Sequence, residues 1–271
     1  SAQTRMVLAS VRHIFTPAAS VQIHDSGVGT SRDNRDGPGG QSFQPSFNNS
    51  NVFDGRIDTV QARTDIALGR YHVVTAGYEF EREHYDNHST DQNPNPARRT
   101  DARLRINEAS HSGFVQAHGR YIDGRLQVLA SGRVQRFDLS RPEFSGNNPL
   151  YQGVPIDTPP DAVTGDASIA WTIARSSTKF RAHVGNGYRA PSLYERFGAS
   201  FFSGQFSAYG DPRLRPERLL SVDSGVDQYF ARNRVRIAAT YFYTTLQESI
   251  VFNGGIRPAT DPFGRFGGYD N

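Results

Sequence analysis

Apolar and polar residues alternate along most of this 271-residue chain, in paired runs joined by short turns. A period of two is typical of β-strands that bury one face. The step Asp123-Gly124 between two such runs is a strong hairpin signal. The pattern therefore predicts about ten antiparallel strands in about five hairpins. The paired runs are 3–14 with 19–25, 57–68 with 71–85, 110–121 with 125–139, 163–174 with 179–188, and 217–230 with 234–252.

The connections between successive hairpins are much longer than the turns within them. They cover about residues 26–52, 86–108, 140–162 and 189–216. Strict alternation of short turns with long loops is typical of an outer-membrane barrel, with its short periplasmic turns and long extracellular loops. A soluble β-sandwich would distribute its loop lengths more evenly. The predicted fold is therefore all-β, an antiparallel transmembrane β-barrel segment with up-and-down connections.

Charged residues indicate which face of each strand would meet lipid, because a slip of one residue exchanges the two faces. An arginine at the middle of the lipid face costs roughly 2–4 kcal/mol. We therefore expect the charged positions of the later strands to face the interior and the alternating apolar positions to face lipid. The interior set is Arg181, Arg236, Asp223 and Asp227, and the lipid set is Phe180, Val184, Ile237, Ala239 and Ile169.

Composition agrees with such a barrel and excludes several other classes. Hydrophobic residues make up 36% of the chain, aromatic residues 11%, and the mean hydropathy is −0.59. No run approaches the ~20 consecutive apolar residues of a membrane-spanning helix. The absence of cysteine excludes disulfides and thiolate metal sites. Because the net charge is only +3 and the arginines are dispersed among 27 acidic residues, we expect no nucleic-acid partner.

The histidines do not indicate a metal site or a catalytic centre. The nearest approach to a metal cluster is His84 and His88 with Asp86 and Asp91, and these residues lie in a predicted polar loop. The sequence has no nucleophile elbow, and the glycine-rich segment 37–40 lacks the lysine and the following helix of a phosphate-binding loop. We therefore expect neither a metal nor a cofactor.

Three glutamates, Glu79, Glu81 and Glu83, fall on one face of a predicted strand. Paired carboxylates are the catalytic groups of glycosidases. Barrel interiors are also commonly polar. We interpret these glutamates as part of the interior wall, and the sequence does not predict an enzyme.

Two phrases late in the chain resemble a known family. Residues 187–195 read Gly-Tyr-Arg-Ala-Pro-Ser-Leu-Tyr-Glu, and residues 211–218 read Asp-Pro-Arg-Leu-Arg-Pro-Glu-Arg. They resemble the late-barrel signature of TonB-dependent outer-membrane receptors, with Asp211 where asparagine is usual. Both residue types suit a turn at that position.

The resemblance implies a barrel of about 22 strands around an N-terminal plug. It also implies import of a scarce solute, such as a ferric siderophore or cobalamin, across the outer membrane of a Gram-negative-type bacterium. The expected partners are outer-membrane lipid, a small-molecule or metal-chelate ligand, and the TonB energy-coupling protein through the plug region. On this interpretation, residues 1–271 are a partial barrel domain that lacks the plug and the C-terminal strands.

Two other classes stay open from the sequence. A smaller outer-membrane barrel acting as a passive pore or a membrane-embedded hydrolase would suit a count of about ten strands. A soluble β-propeller or adhesin would require a repeat of fixed period, and the strand pairs recur without sequence similarity.

The loop between the two phrases is the candidate ligand-binding segment. It combines aromatic rings and arginine donors with a Gly/Ser-rich backbone, which suits capture of a bulky, partly apolar and often anionic ligand. On this hypothesis, the residues that only shape the loop are Pro191, Leu193, Pro212, Leu214 and Pro216. The alternative is that the rings fold the loop onto itself as a small core. The predicted ligand-binding residues are Arg189, Tyr194, Arg196, Phe201, Phe202 and Tyr209.

Overall fold

The computed structural model describes residues 1–37, 47–202 and 205–271, and for Phe202 the backbone alone. In these ranges, a five-residue helix, α1 (Leu193–Phe197), and one 3₁₀ turn (Pro96–Arg98) accompany fifteen strands. The strands are β1 (Ala2–Thr16), β2 (Ala19–Asp36), β3 (Asn49–Leu68), β4 (His72–Asp91), β5 (Asp101–Tyr121), β6 (Leu126–Leu139), β7 (Glu143–Gly146), β8 (Ala162–Ile173), β9 (Thr178–Arg189), β10 (Ala199–Phe202), β11 (Gln205–Ala208), β12 (Glu217–Phe230), β13 (Val235–Gln247), β14 (Val251–Asn253) and β15 (Gly268–Asp270).

Ten long strands form one antiparallel meander in the order β1-β2-β3-β4-β5-β6-β8-β9-β12-β13, and β7 pairs with β5 beside this path. The turns within hairpins contain residues in the left-handed region, which short hairpin turns require. Gly69 has φ of 65°, Asp123 of 54° and Asn233 of 66°. The predicted all-β fold, with about ten strands in short-turn hairpins, is confirmed.

The strands extend further into the predicted long loops than alternation indicates. β2 continues to Asp36, β3 begins at Asn49, β4 reaches Asp91 and β5 begins at Asp101. At the start of β5 the alternation continues, with Ala102, Leu104 and Ile106 on the buried face. In the last residues of β2 both faces carry polar side chains, so the ladder there continues without an amphipathic pattern. Backbone pairing does not depend on that pattern, which arises only where one face leaves water.

The last predicted strand is shorter than expected. The run 234–252 was expected to be continuous, but β13 ends at Gln247, and Glu248 follows with a φ of 53°. The chain then forms a separate hairpin in which β14 pairs with β15. Residues Gly268–Asp270, beyond the last predicted strand, are therefore also paired.

The two faces of the sheet differ as the charge pattern predicts. The register places Asp223 opposite His183 and Asp227 opposite Lys179. Asp227 lies 2.8 Å from Arg236 and 3.6 Å from Arg181. The opposite face of these strands carries exposed apolar side chains, namely Ile169, Phe180, Val184 and Ile237.

The polar face also carries the glutamate row of β4. Glu79 accepts hydrogen bonds from Gln61 at 2.8 Å and from Arg133 at 2.5 Å, and Glu81 accepts one from Thr59 at 3.2 Å. The Glu83 carboxylate accepts a hydrogen bond from the backbone N–H of Leu193, the first residue of α1, at 3.4 Å. The glutamates are therefore part of the wall on which the long loops pack.

Within the described ranges, no helix is both long enough and apolar enough to cross a bilayer.

The long loops pack on the polar face at the end of the sheet opposite the short turns. α1 contacts β4 and β5, and β10 contacts β3 and β4. Apolar side chains from strands and loops meet there in one buried cluster, which we call the loop core. It consists of Phe53, Tyr85, Leu104, Ile106, Tyr151, Leu193, Phe197, Ala199 and Ala208.

Candidate ligand-binding site

The first signature phrase ends β9 and begins α1. Pro191 has no N–H to continue the β9 ladder. Ser192 then caps the helix: its Oγ accepts from the N–H of Glu195 at 3.3 Å, and the Glu195 carboxylate accepts from the Ser192 N–H at 2.8 Å. This capping box directs Leu193 and Phe197 into the loop core, where both are fully buried.

Arg189, a predicted ligand contact, joins three elements at this point. Its Nε donates to Glu217 at 2.6 Å, and its Nη1 donates to Glu195 at 2.9 Å. The guanidinium therefore links the end of β9 to α1 and to the start of β12.

Arg196, a second predicted ligand contact, lies inside the loop and is 2% exposed. Its Nη2 donates to the carbonyl oxygens of Asp157 at 2.7 Å and Pro212 at 3.0 Å. Burial lowers the pKa of Arg196. The side chain joins α1 to two other loop segments.

The second signature phrase is held by a buried cluster of Asp211, Asp261 and Arg265. Arg265 is 3% exposed, and its Nη2 lies 2.8 Å from Asp261 and 3.2 Å from Asp211. Its Nη1 donates to the carbonyl oxygen of Tyr269 at 2.7 Å. Burial raises the pKa of Asp261, but the bonds and charge of Arg265 outweigh burial and hold that pKa below its ordinary value. Arg213 also pairs with Asp211, at 2.8 Å.

Tyr151 connects α1 to the segment before the second phrase. Its hydroxyl donates to the carbonyl oxygen of Gly198 at 2.7 Å and accepts from the N–H of Gly210 at 3.1 Å. Its ring packs edge-on against Phe197, with centroids 5.8 Å apart. Burial raises the pKa of Tyr151. The phenol is a buried structural bridge.

Beside the loop core lies a cavity of about 370 Å³ between the β10–β11 hairpin and the β14–β15 hairpin. This volume lies within the range of small-molecule sites. Serine, alanine and glycine complete its lining. We call it the aromatic pocket, after its six rings: Tyr194, Phe201, Tyr209, Phe252, Phe266 and Tyr269.

The rings contact one another at steep angles and so hold each other in place. Tyr194 lies 5.3 Å from Tyr209 and 6.2 Å from Tyr269, and Phe252 meets Tyr269 edge-on at 5.6 Å. Such arrangements are favoured by the charge distribution of aromatic rings. Phe252 is 62% exposed, so one edge of the pocket is open.

The predicted ligand-binding residues divide between two environments. Tyr194, Phe201 and Tyr209 line the aromatic pocket, whereas Arg189 and Arg196 hold the loop together. The side chain of Phe202 lies outside the described residues. The structure therefore assembles three of the predicted aromatic residues in one cavity.

Sequence reasoning missed half of the pocket. Phe252 ends the run 234–252 that alternation predicts as a strand, and Phe266 and Tyr269 come from the following segment, which has no periodic pattern. The one available signal was its aromatic content, four rings between 252 and 269 among glycines. Such a composition suits a binding surface, but it does not predict which other segment of the chain these rings pack against.

His84 and His88 of β4 are hydrogen-bonded to side chains of β5, on the face opposite the glutamate row. His84 hydrogen-bonds Asn107 and His88 hydrogen-bonds Asp101, each at 2.9 Å. Asp86 pairs with Arg103 at 2.6 Å. In the part of the chain that the structure describes, no three His, Asp or Glu residues are grouped so that they could hold a metal ion.

Comparison with known protein families and solved structures identifies proteins that share this fold. The model of the family "TonB dependent receptor-like, beta-barrel" matches residues 8–270. Among solved structures, the copper transporter OprC aligns with a TM-score of 0.65 and 13% identity over 99% of this chain. The ferric yersiniabactin uptake receptor FyuA from Yersinia pestis aligns at 0.62 and 14% over 92%. The ferric-catecholate import receptor Fiu from E. coli K12 aligns at 0.59 and 12% over 100%. No curated protein sequence matches the chain.

The chain spans only part of these structures, covering 41% of OprC, 38% of FyuA and 43% of Fiu. Identities this low show a shared fold. The family match is independent of them and extends over nearly all of the chain. The chain therefore belongs to the TonB-dependent receptor family, transporters and receptors of the Gram-negative outer membrane, and forms part of their β-barrel.

Proposed function

We propose that this chain is the ligand-gathering part of an outer-membrane receptor that imports a scarce solute by TonB-coupled energy. The observation that carries the proposal is the aromatic pocket, which lies among the long loops and adjoins the polar wall. In outer-membrane barrels the long loops are extracellular. A ligand captured there would enter from outside the cell.

The proposed ligand is a small molecule or metal chelate, such as a ferric siderophore, a copper complex or cobalamin. Solved neighbours include a copper transporter and receptors for ferric chelates, and these have the same fold at low identity. Energy would come from the TonB protein through a plug region. Residues 1–271 would then be one portion of the barrel domain.

Within the site, we propose that Tyr194, Phe201 and Tyr209 contact the ligand directly. Contact by Phe202 stays a prediction. Contact by Arg189 or Arg196 also stays a prediction. Arg189 would have to share its donors with Glu195 and Glu217, whereas Nη1 of Arg196 has no hydrogen-bond partner in the described residues.

Whole-cell uptake tests the function. Cells that carry the intact gene should accumulate one of three labelled solutes, namely a ferric siderophore, a copper salt or cobalamin, and cells without the gene should not. Accumulation should stop when a protonophore removes the energy source. Equal uptake in energised and de-energised cells would contradict TonB coupling and would favour a passive pore.

Removing two pocket rings tests the site. The double variant Phe201→Ala/Phe252→Ala should weaken ligand binding by about tenfold or more, because each ring contributes aromatic contacts. These two side chains lie outside the loop core, so surface expression should be unchanged. Phe230→Ala, which removes an exposed ring next to the β12–β13 turn, is the matched control and should bind normally. Wild-type affinity in the double variant would place the site elsewhere.

A further inference from the structure

We propose that the aromatic pocket takes an uncharged aromatic group of the ligand, and that any charged or metal-binding portion stays outside it. This inference rests on the proposed function and specifies the chemistry of the same site.

The lining itself is electrically neutral. In the described residues, no Asp, Glu, Lys, Arg or His lines the pocket. Burial raises the pKa of Tyr209 and of Tyr269, so both phenols remain protonated at pH 7. A charged group placed there would lose hydration without gaining a counter-ion, which is strongly unfavourable.

Four arginines of the surrounding loops already pair with carboxylates. Arg189 pairs with Glu195 and Glu217, and Arg213 pairs with Asp211. Arg215 pairs with Glu248, and Arg265 with Asp261. An anion in the pocket would have to compete with these carboxylates to obtain one of the four cations.

The two serine hydroxyls of the lining offer little polar recognition. Ser207 Oγ donates to the carbonyl oxygen of Ala208 at 3.0 Å, and Ser200 Oγ to that of Phe201 at 3.4 Å. Hydrogen bonds already made within the protein have to be exchanged before a ligand can use them. Selection in this pocket therefore depends on shape, ring contacts and the tyrosine hydroxyls of the lining.

The arrangement of rings favours an aromatic group over an aliphatic one. Tyr194, Tyr209 and Tyr269 are mutually tilted, with interplanar angles from 51° to 71°, and thus present both faces and edges to the cavity. A planar ring inserted among them can make stacked and edge-on contacts at once, and an aliphatic group of equal size cannot. The volume of about 370 Å³ is sufficient for a fused two-ring group.

The test uses three probes of similar size on the intact receptor in nanodiscs, with empty nanodiscs subtracted. The probes are 2-naphthol, which is neutral and aromatic, 2-naphthoate, which is anionic, and decahydro-2-naphthol, which is neutral and aliphatic. Saturation-transfer NMR reports binding. We expect 2-naphthol to bind at least about tenfold more tightly than either of the others. Equal or tighter binding of 2-naphthoate or of decahydro-2-naphthol would overturn the proposal.

Variants then locate the probe. Phe201→Ala/Phe252→Ala should reduce 2-naphthol binding by about tenfold, while Phe230→Ala leaves it unchanged. Unchanged binding in the double variant would also overturn the proposal. The wild-type comparison of probes holds even if the double variant folds poorly.

The uptake assay separates this inference from the proposed function. Energy-dependent uptake by a receptor that does not bind 2-naphthol would leave the function standing and overturn the inference. Binding of 2-naphthol in the pocket without energy-dependent uptake would support the inference and overturn the function.

Discussion

The loop core and the aromatic pocket are neighbours that share residues of the loop 189–216, yet they use different chemistry. The loop core is sealed: Tyr151, Leu193 and Phe197 are at most 2% exposed, and the adjoining Arg265 forms buried ion pairs. The aromatic pocket is open at one edge and is held by ring contacts, without ion pairs in its described lining. Tyr209 lies between the two, since its ring lines the pocket and packs against the loop core.

This difference assigns roles to the two signature phrases. Their charged and proline residues shape the loop: Glu195 caps α1, Asp211 receives Arg213 and Arg265, and Glu217 receives Arg189. The rings that line the cavity come mainly from less patterned segments between and after the phrases. A rigid framework that carries a variable surface is the usual arrangement of binding loops. Receptors of this fold could thus change ligand while keeping the phrases.

The largest expected effect comes from removing the buried cation. Arg265→Ala leaves Asp261 buried without its cation and leaves Asp211 paired with Arg213 alone. Removing one partner of a buried ion pair typically costs about 3–5 kcal/mol. Amide hydrogen exchange over residues 193–216 should therefore accelerate at least about 100-fold in the intact receptor. Because Arg265 also donates to the carbonyl oxygen of Tyr269, the aromatic pocket should be lost with it.

Arg215→Ala is the matched control for this prediction. Its pair with Glu248 is exposed, with 74% of the arginine side chain accessible, so removal should cost only about 0–1 kcal/mol. If Arg265→Ala had no greater effect than Arg215→Ala, the buried cluster would not be what holds the loop.

A smaller effect is expected from a single buried hydroxyl. Tyr151→Phe keeps the ring but removes the donor to Gly198 and the acceptor for Gly210, at a cost of about 1–3 kcal/mol. Exchange of the Gly210 amide should accelerate about tenfold. Tyr188→Phe removes a hydrogen bond of the same 2.7 Å length, to Pro160, at an exposed position. Because water can replace the lost donor there, that variant should be nearly neutral, and equal effects would argue against burial as the cause.

The fold was predictable because its signals are local. Period-two alternation identifies strands wherever one face leaves water, and Asp123-Gly124 or Gly69 fits a turn with positive φ. Arg181 and Arg236 then distinguish the faces. The polar extension of β2 to Asp36 was not predictable in this way, because polar side chains occupy both of its faces.

The site was only half predictable because its contacts are remote in sequence. Tyr194 and Tyr209 attract attention as rings within a glycine-rich loop, but their partner Tyr269 lies 60 or more residues further along. Tyr151 bonds to Gly198 across 47 positions. Composition indicates that such residues can bind or pack, and the fold alone decides which of them meet.

The smallest expected effect comes from the N-cap of α1, and it tests whether the loop core and the aromatic pocket respond independently. Ser192→Ala removes the side-chain N-cap of α1 at a cost of about 1 kcal/mol. Exchange over α1 should accelerate about fivefold, and 2-naphthol binding should change less than about twofold because the β10–β11 and β14–β15 hairpins remain paired. Ser192→Thr keeps the capping oxygen and should restore slow exchange. A matching loss of probe binding in Ser192→Ala would mean that core and pocket open as one unit, and the division of roles between them would then fail.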